Sequence, residues 1–424
     1  MSTYSLEKYK VDNLFLLVGE NPLPNYVAAK LLLNKGGTVY LIHTANTADE
    51  AKRLKKVFGD EFKVELRTLN HYESDAYYIQ KEIRAKLSSI EGEKIGLNYT
   101  GGTKAMSAHS YRTLFYEEIK DNTGKVYRQR KDVIFSYLDP RRLEICIDRE
   151  DDKRERFKVT PDILELKLEM LFELHGLELK SPPTQEVKLL ELAKELVNIF
   201  ADKKKVEEWK NWYQQVFCAE ARKKNRNWQS ETDLEKLVIP VDKLSSDILE
   251  EFRQLKLLDI DEKLVLAEVK NQGLFSKIKD FCKWLDGLWL EHYVLQQIKD
   301  IADSKSIQDY GLNFNIPLKG TKDGFEFDVA FTRGYQLFAI SCTTADNRPL
   351  CKSKLFEAYL RAQQMGGEEA RVALVCCSDE PGSLKTEITN TLPNKKIAVF
   401  GRKDLVYLSE EIVRWINEND RGAI

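Results

Sequence analysis

Residues 95–106 read IGLNYTGGTKAM, and the fold turns on how that stretch changes pattern. Residues 95–99 read as a short strand, Thr100-Gly101-Gly102-Thr103-Lys104 ends it, and a helical pattern continues through Tyr111 and Leu114. A strand that ends in a glycine turn and passes into a helix is the repeating unit of a parallel sheet covered by helices. The same alternation extends towards the N-terminus. Residues 14–18 are an apolar run broken at Gly19, residues 26–33 carry Ala and Leu at helical spacing, residues 38–43 predict a second strand, and residues 48–58 predict a charged helix. Downstream, residues 133–138 and 143–147 flank Asp139-Pro140-Arg141-Arg142 and predict a closing hairpin, followed by a charged loop over 149–158.

The chain has 424 residues, enough for two or three domains. Hydrophobic residues at 42% and charged residues at 32% exclude wholesale disorder. The longest apolar stretches, 14–18 and 372–377, fall far short of the roughly 20 residues that a membrane helix needs. The N-terminus MSTYSLEKYKVDN carries no apolar segment behind a basic flank, so no membrane and a cytoplasmic location are expected. Seven cysteines without a CxxC spacing predict neither a disulfide framework nor a zinc site. Lys plus Arg is 66 against 68 Asp plus Glu, a net charge of -2, so a nucleic-acid partner would have to be held by local basic patches.

Thr160-Pro161 sets an N-cap and an N1 proline before a helix expected over 162–175, with Gly176 as its C-cap. Residues 181–259 read as mostly helical. Lys203, Lys204, Lys205, Arg222, Lys223, Lys224 and Arg226 alternate there with Trp209, Trp212 and Trp228. Such interleaving can hold a single strand through phosphate contacts and stacking, and it equally describes a solvated helix face over a tryptophan core. From 273 the order is a long helix to about 298, strands near 312–318, 325–332 and 335–342, a helix over 351–365 and a strand over 370–377. The C-terminal part is thus αβββαβ, and the expected units are 1–150, 160–260 and 265–424.

Loops at the carboxyl ends of parallel strands bind ligands in open α/β sheets, and three are small and polar here. They hold Asn21 and Pro22, Thr44 and Asn46, and Thr100 to Lys104. In the last, Gly101 and Gly102 allow close backbone approach, the helix N-terminus favours an anion, and Thr103 and Lys104 supply donors, a combination that suits a phosphate. Neither GxxxxGK followed by Ser or Thr, nor GxGxxG, is present, so an ordinary nucleoside triphosphate or dinucleotide is not indicated.

In the C-terminal part, a two-residue turn at Arg333-Gly334 would pair Thr332 with Tyr335, set Asp328 opposite Ala339 and set Glu326 opposite Ser341. One face then holds Phe325, Phe327, Val329, Phe331, Phe338, Ile340 and Cys342, and the other gathers Glu326, Asp328, Ser341 and Thr343. Carboxylates two residues apart on one strand can hold a hard cation such as Mg²⁺ or Mn²⁺. Glu291, in an apolar helix beside Leu290 and Val294, is a third candidate carboxylate. His292 beside it could ligate a metal or simply pack.

The strand, the loop TGGTKAM and the following helix resemble the CARF domain, the Rossmann-like sensor of cyclic oligoadenylates in type III CRISPR systems. The likeness implies that Gly101, Gly102, Thr103 and Lys104, with the loops at Asn21 and Thr44, line a site shared across a two-fold homodimer. Helix, acidic second strand and polar third strand resemble the PD-(D/E)xK nuclease plan, and the whole chain resembles the CARF nucleases activated by cyclic tetra-adenylate. Glu291 then matches the helical glutamate and Asp328 the metal-binding aspartate, with the Cys342 carbonyl as a third ligand. Ser341-Cys342-Thr343 departs from the usual motif, since Thr343 stands where a lysine would. On the next helix Lys354 borders the packed stripe Leu355, Ala358, Ala362 and Met365 more closely than Lys352, which makes it the candidate substitute. The implied activity is a ligand-activated, metal-dependent nuclease acting on DNA or RNA in antiviral defence. A silent effector that binds nucleic acid without cutting is the alternative. A HEPN ribonuclease lacks its R-x4-H signature here, because none of the five histidines has an Arg five residues before it. A nicotinamide enzyme lacks its glycine fingerprint.

Overall fold

The computed structural model describes residues 6–90, 93–121, 124–149, 153, 155–316, 325–391 and 396–422. The N-terminal sheet is built from β1 (Val11–Leu17), β2 (Leu33–His43), β3 (Lys63–Thr68), β4 (Ile95–Asn98), β7 (Val133–Asp139), β8 (Glu144–Ile147) and β9 (Glu155–Lys158), with β5 (Tyr116–Asp121) and β6 (Gly124–Gln129) as a separate hairpin. Its order is β3-β2-β1-β4-β7-β8-β9. The first five strands run parallel, and β7, β8 and β9 are antiparallel neighbours. β1 shows why the run is apolar throughout. Leu14 and Leu16 pack under the helices Leu23–Leu32 and Ala48–Phe58, while Phe15 and Leu17 pack under Ala76–Leu87 and Lys104–Phe115. A strand covered on both faces has no polar side to alternate with.

The expected hairpin forms, with Asp139 opposite Glu144. The loop expected over 149–158 instead contains β9, because Phe157 pairs with Ile145 and extends the sheet edge. The helix expected from 162 begins only at Leu168. Before it, the Leu166 N–H bonds the Gly334 carbonyl at 3.2 Å and the Leu168 N–H bonds the Asp309 carboxylate at 2.9 Å, so tertiary partners hold 164–167 extended. Gly176 does cap the helix end, at φ +73°.

The middle stretch is helical over Leu190–Ala201, Lys203–Trp212 and Ser246–Gln254, with a short strand pair β10 (Val238–Ile239) and β11 (Leu264–Val265). Trp209 and Trp212 are buried, which decides for a tryptophan core beneath the basic residues. These helices share one core with the helix Trp289–Ile301 and with Val329, Phe331, Phe338 and Ile340 of the second sheet. The expected long helix is broken. A wide turn over Trp284–Leu288, with Gly287 at φ 154°, separates Ile278–Lys283 from Trp289–Ile301.

The second sheet holds β12 (Asp309–Ile316), β13 (Phe325–Arg333), β14 (Gln336–Cys342), β15 (Arg371–Val375) and β16 (Ile397–Phe400), in that order. β12, β13 and β14 pair antiparallel and β14, β15 and β16 parallel. Both its faces are covered. The side opposite the middle helices packs Leu337, Ala339, Val372 and Leu374 with Leu355, Ala358 and Ala362 of the helix Arg348–Gly366, in a core that continues into the N-terminal unit.

The hairpin register is two residues from the expected one. Arg333 pairs with Gln336 and Thr332 with Leu337, leaving Gly334-Tyr335 as the turn. Gly334 takes the left-handed φ of +62° that the turn requires. Arg333 is held in the strand by bonds to the Lys305 carbonyl and to Asp420, both at 2.7 Å. Asp328 therefore faces Ser341 and not Ala339. A shift of two preserves the faces, so Asp328 and Ser341 remain on one side. The expected continuous apolar face is interrupted. Asn313, at φ +64°, turns β12 over, so that Phe314 and Phe327 pack in the core that faces the N-terminal unit while Leu312 and Val329 pack with the middle helices.

Candidate functional site

Asp328 lies in the middle of β13. Its Oδ2 accepts from the Ser341 hydroxyl at 3.0 Å and from the Cys342 N–H at 2.6 Å. Burial raises its pKa above the ordinary carboxylate value, opposed by the Cys342 N–H, the Lys354 ammonium and the Ser341 hydroxyl, while Glu357 adds to the rise. Glu291 stands in the first turn of Trp289–Ile301 and is half-buried. The Gly287 kink sets that helix against the end of β14, where a Cβ on Gly287 would stand 3.8 Å from the Thr344 hydroxyl. Burial pushes the Cys342 thiol well up, Asp328 and Glu291 push it further, and Lys354 opposes them. Charged groups from three elements, Asp328, Glu291 and Lys354, thus act electrostatically on one buried residue at the strand exit.

Lys354 is half-buried, whereas Lys352 is exposed and ion-paired with Glu387 across to the helix Pro381–Thr391. The two lysines are therefore directed differently, as their positions on the helix predict. Thr343 is half-buried, and its hydroxyl accepts the Ala345 N–H at 3.3 Å in the turn after β14. Glu326 pairs with Asn315 through the backbone, and its side chain lies outside the described residues. His292 is structural. It is buried, its Nδ1 accepts the Lys188 N–H at 3.2 Å, and burial lowers its pKa to about 4. Among the described residues, no group of three His, Cys, Asp or Glu side chains forms a ready-made metal cage.

In the N-terminal unit, the glycine pair is demanded by sterics. A Cβ on Gly101 would stand 2.2 Å from the Leu17 carbonyl oxygen, and Gly102 takes φ +74°. Thr103 is spent on structure: its hydroxyl caps Lys104–Phe115 by accepting the Met106 N–H at 3.2 Å and donates to the Glu73 carbonyl at 3.2 Å. Beside the turn lies an open groove of about 500 Å³, lined by Tyr99, Thr100, Gly102, Lys104, Ser107 and Tyr111 with Gly101. Lys104 is exposed there. Ser107 and Tyr111 were legible as a helix face, three and seven residues beyond Lys104, and Tyr99 as the last strand residue.

The other expected ligand residues do not join that groove. Asn21 lies 3.2 Å from His175 Nε2 and accepts the Leu23 N–H at 3.1 Å. Pro22 is buried ahead of the helix Leu23–Leu32. Thr44 is buried and tied to Thr47, whose hydroxyl accepts the Thr44 N–H at 3.0 Å. Asn46 is exposed on the loop after β2.

Residues 14–137 match the Card1 CARF domain family. No curated protein matches the chain. Among solved structures, the protein VC1899 from Vibrio cholerae superposes with a TM-score of 0.70 at 16% identity, over 96% of this chain and 98% of that one. Can2 from Sulfobacillus thermosulfidooxidans, solved with cyclic tetra-adenylate, gives 0.67 at 15% identity, over 98% of this chain and 100% of that one. A type III CRISPR defence DNA nuclease activated by cyclic oligoadenylate gives 0.50 at 16% identity, over 86% of this chain but 45% of its own length. At these identities the likeness is one of fold. Residues 14–137 thus match the model of the Card1 CARF domain, within a chain that shares the fold of VC1899 and Can2 along nearly its whole length.

Proposed function

We propose that this protein is a cyclic oligoadenylate-activated, metal-dependent nuclease that works as a homodimer. The observation that carries the reading is Asp328, buried and held by Ser341 and the Cys342 N–H, with Glu291 and Lys354 also acting on Cys342, in a chain whose other end matches a CARF domain. Can2, of the same fold, was solved with cyclic tetra-adenylate, which supports that ligand for the groove at Gly101, Gly102 and Lys104. A cyclic ligand on a two-fold axis would meet the same groove from both subunits.

The residues fit a divalent cation, because Asp328 is a carboxylate whose charge burial disfavours and an adjacent cation would offset that cost. Asp328, Glu291 and the Cys342 carbonyl would hold it, and when bound it would polarise the scissile phosphate and lower the pKa of a water. Ser341 and the Cys342 N–H orient Asp328, and Lys354 supplies the positive charge that Thr343 cannot. The silent-effector reading is favoured by Thr343 standing in place of a charged motif residue.

Incubation with Mn²⁺, supercoiled plasmid and single-stranded RNA, with and without cyclic tetra-adenylate, separates the two. Ligand-dependent cutting of either nucleic acid is expected. Nucleic-acid binding without any cutting would establish the silent effector.

A further inference from the structure

Burial of Trp209 and Trp212 removes the stacking platform from the middle segment but leaves its charge outside. Three of the cations there are neutralised in place. Lys203 pairs with Asp379 at 3.3 Å, Lys210 with Asp346 at 2.9 Å and Arg222 with Asp286 at 2.5 Å. Lys223, Lys224 and Arg226 are exposed, and none of them makes an ion pair among the described residues. In a chain of net charge -2, three such cations within four residues are a concentrated positive site.

The loop that carries them is stiff. Arg222 and Trp228 form an antiparallel bridge, the Lys223 N–H bonds the Asn227 carbonyl at 2.8 Å, and the Arg226 N–H bonds the Lys223 carbonyl at 2.8 Å. The Arg222 guanidinium lies 4.0 Å from the Trp228 ring centroid and donates to the Arg226 carbonyl at 3.0 Å. Arg226 itself sits at φ +65°, a conformation uncommon outside glycine and asparagine. A loop ordered in advance loses little entropy when its cations engage a partner.

Its anchor points at the cutting site. Asp286, held by Arg222 and by the Tyr213 hydroxyl at 2.6 Å, precedes the Gly287 kink that abuts Thr344. Glu291 follows five residues later, beyond the kink, in the first turn of Trp289–Ile301. We propose that the hairpin Arg222 to Trp228 is a phosphate-backbone clamp that holds the nucleic acid beside Asp328 and Glu291. Lys223, Lys224 and Arg226 contact phosphates without reading sequence, while Arg222 and Trp228 position them. The clamp rests on the nuclease reading above, and it assigns the middle segment to substrate binding.

The test uses the full chain saturated with cyclic tetra-adenylate, in EDTA so that nothing is cut, and a fluorescein-labelled DNA duplex of about 20 base pairs titrated from 0.05 to 0.3 M salt. The variant carries Lys223→Gln, Lys224→Gln and Arg226→Asn, the last chosen because asparagine tolerates left-handed backbone. A charge-matched control carries Lys52→Gln, Lys55→Gln and Lys56→Gln on the helix Ala48–Phe58. The clamp predicts that the slope of log K against log salt falls by roughly 2 to 3 and that affinity at 0.1 M salt drops at least about 10-fold. Cyclic tetra-adenylate affinity and the melting curve stay those of the unaltered chain, and the control keeps the full slope. An unchanged slope in the hairpin variant, with the unaltered chain binding DNA, overturns the clamp and leaves the nuclease reading standing. If the unaltered chain binds neither this duplex nor a single-stranded RNA of the same length, the nuclease reading fails and the clamp falls with it.

Discussion

Asp328 and Ser341 face each other across β13 and β14, the serine hydroxyl donating to the carboxylate at 3.0 Å. The contact exists because the hairpin closes on Arg333 and Gln336. It keeps a carboxylate that burial disfavours pointed at the strand end, where Glu291 and Lys354 also act.

Asp328→Asn separates the two ends of the chain. Cutting is expected to fall at least about 100-fold, with cyclic tetra-adenylate affinity unchanged in calorimetry. The amide also removes a charge that burial opposes. Since the native carboxyl has a raised pKa, the native state binds more protons than the unfolded one just above the ordinary carboxylate range, and Asp328 costs stability as pH rises through that range. The variant should therefore melt higher than the unaltered chain at pH 7. Full cutting activity with Mg²⁺ or Mn²⁺ would remove Asp328 from the site.

Lys354 and Lys352 provide a matched pair on one helix. Lys354→Ala is expected to lower single-turnover cutting at least about 100-fold with little change in nucleic-acid affinity. Lys352→Ala breaks only an exposed pair with Glu387, and such pairs contribute about 0 to 1 kcal/mol to stability. Equal rates for both variants would return Lys354 to a surface role.

The sensor turn responds to two different substitutions in two different ways. Lys104→Ala removes one charged donor from the groove and should weaken cyclic tetra-adenylate roughly 10-fold to 100-fold without altering the melting temperature. Gly101→Ala places a Cβ 2.2 Å from the Leu17 carbonyl. It should lower stability by more than about 1 kcal/mol as well as abolish binding. Calorimetry with thermal denaturation distinguishes the two, and unaltered affinity in Lys104→Ala would take that lysine out of the groove.

His175 makes stability depend on pH. Burial lowers its pKa to about 4, with Arg53 adding to the effect and the Leu171 carbonyl opposing it. The unfolded chain takes up this proton near pH 6.5, so between the two values the unfolded state holds more protons. The stabilisation is fully present above about pH 6.5 and is lost as pH falls towards 4, on the order of 3 kcal/mol in all. Melting temperatures measured from pH 7 to 4.5 should fall more steeply for the unaltered chain than for His175→Gln. Parallel curves would show that His175 carries its proton alike in both states.

Much of the site's chemistry was legible before any contact was known. The period of two along 325–332 and 335–342 placed Asp328 with Ser341 on one face, and an error of two residues in register could not move them apart. Helical spacing likewise distinguished Lys354 from Lys352, because direction around a helix follows from 100° per residue. Asn21, Pro22 and Thr44 do not line the groove beside Gly101, for the opposite reason. Small polar loop residues carry no direction in the sequence, and Asn21 and Thr44 found their hydrogen bonds on His175, Leu23 and Thr47.

By itself, the sequence determined the strand order's raw material, the glycine turn and the identity of the chemical groups. Apolar periodicity and glycine sterics are local, so TGGTK could announce a tight turn before a helix from its own residues alone. Only the tertiary structure decided that Arg333 stays in its strand, that Gly287 breaks a long helix to bring Glu291 to the end of β14, and that Trp209 and Trp212 go inside while Lys223, Lys224 and Arg226 stay out. Each of those outcomes depends on partners more than 25 residues away or on which of two faces meets a core, and no local pattern encodes either.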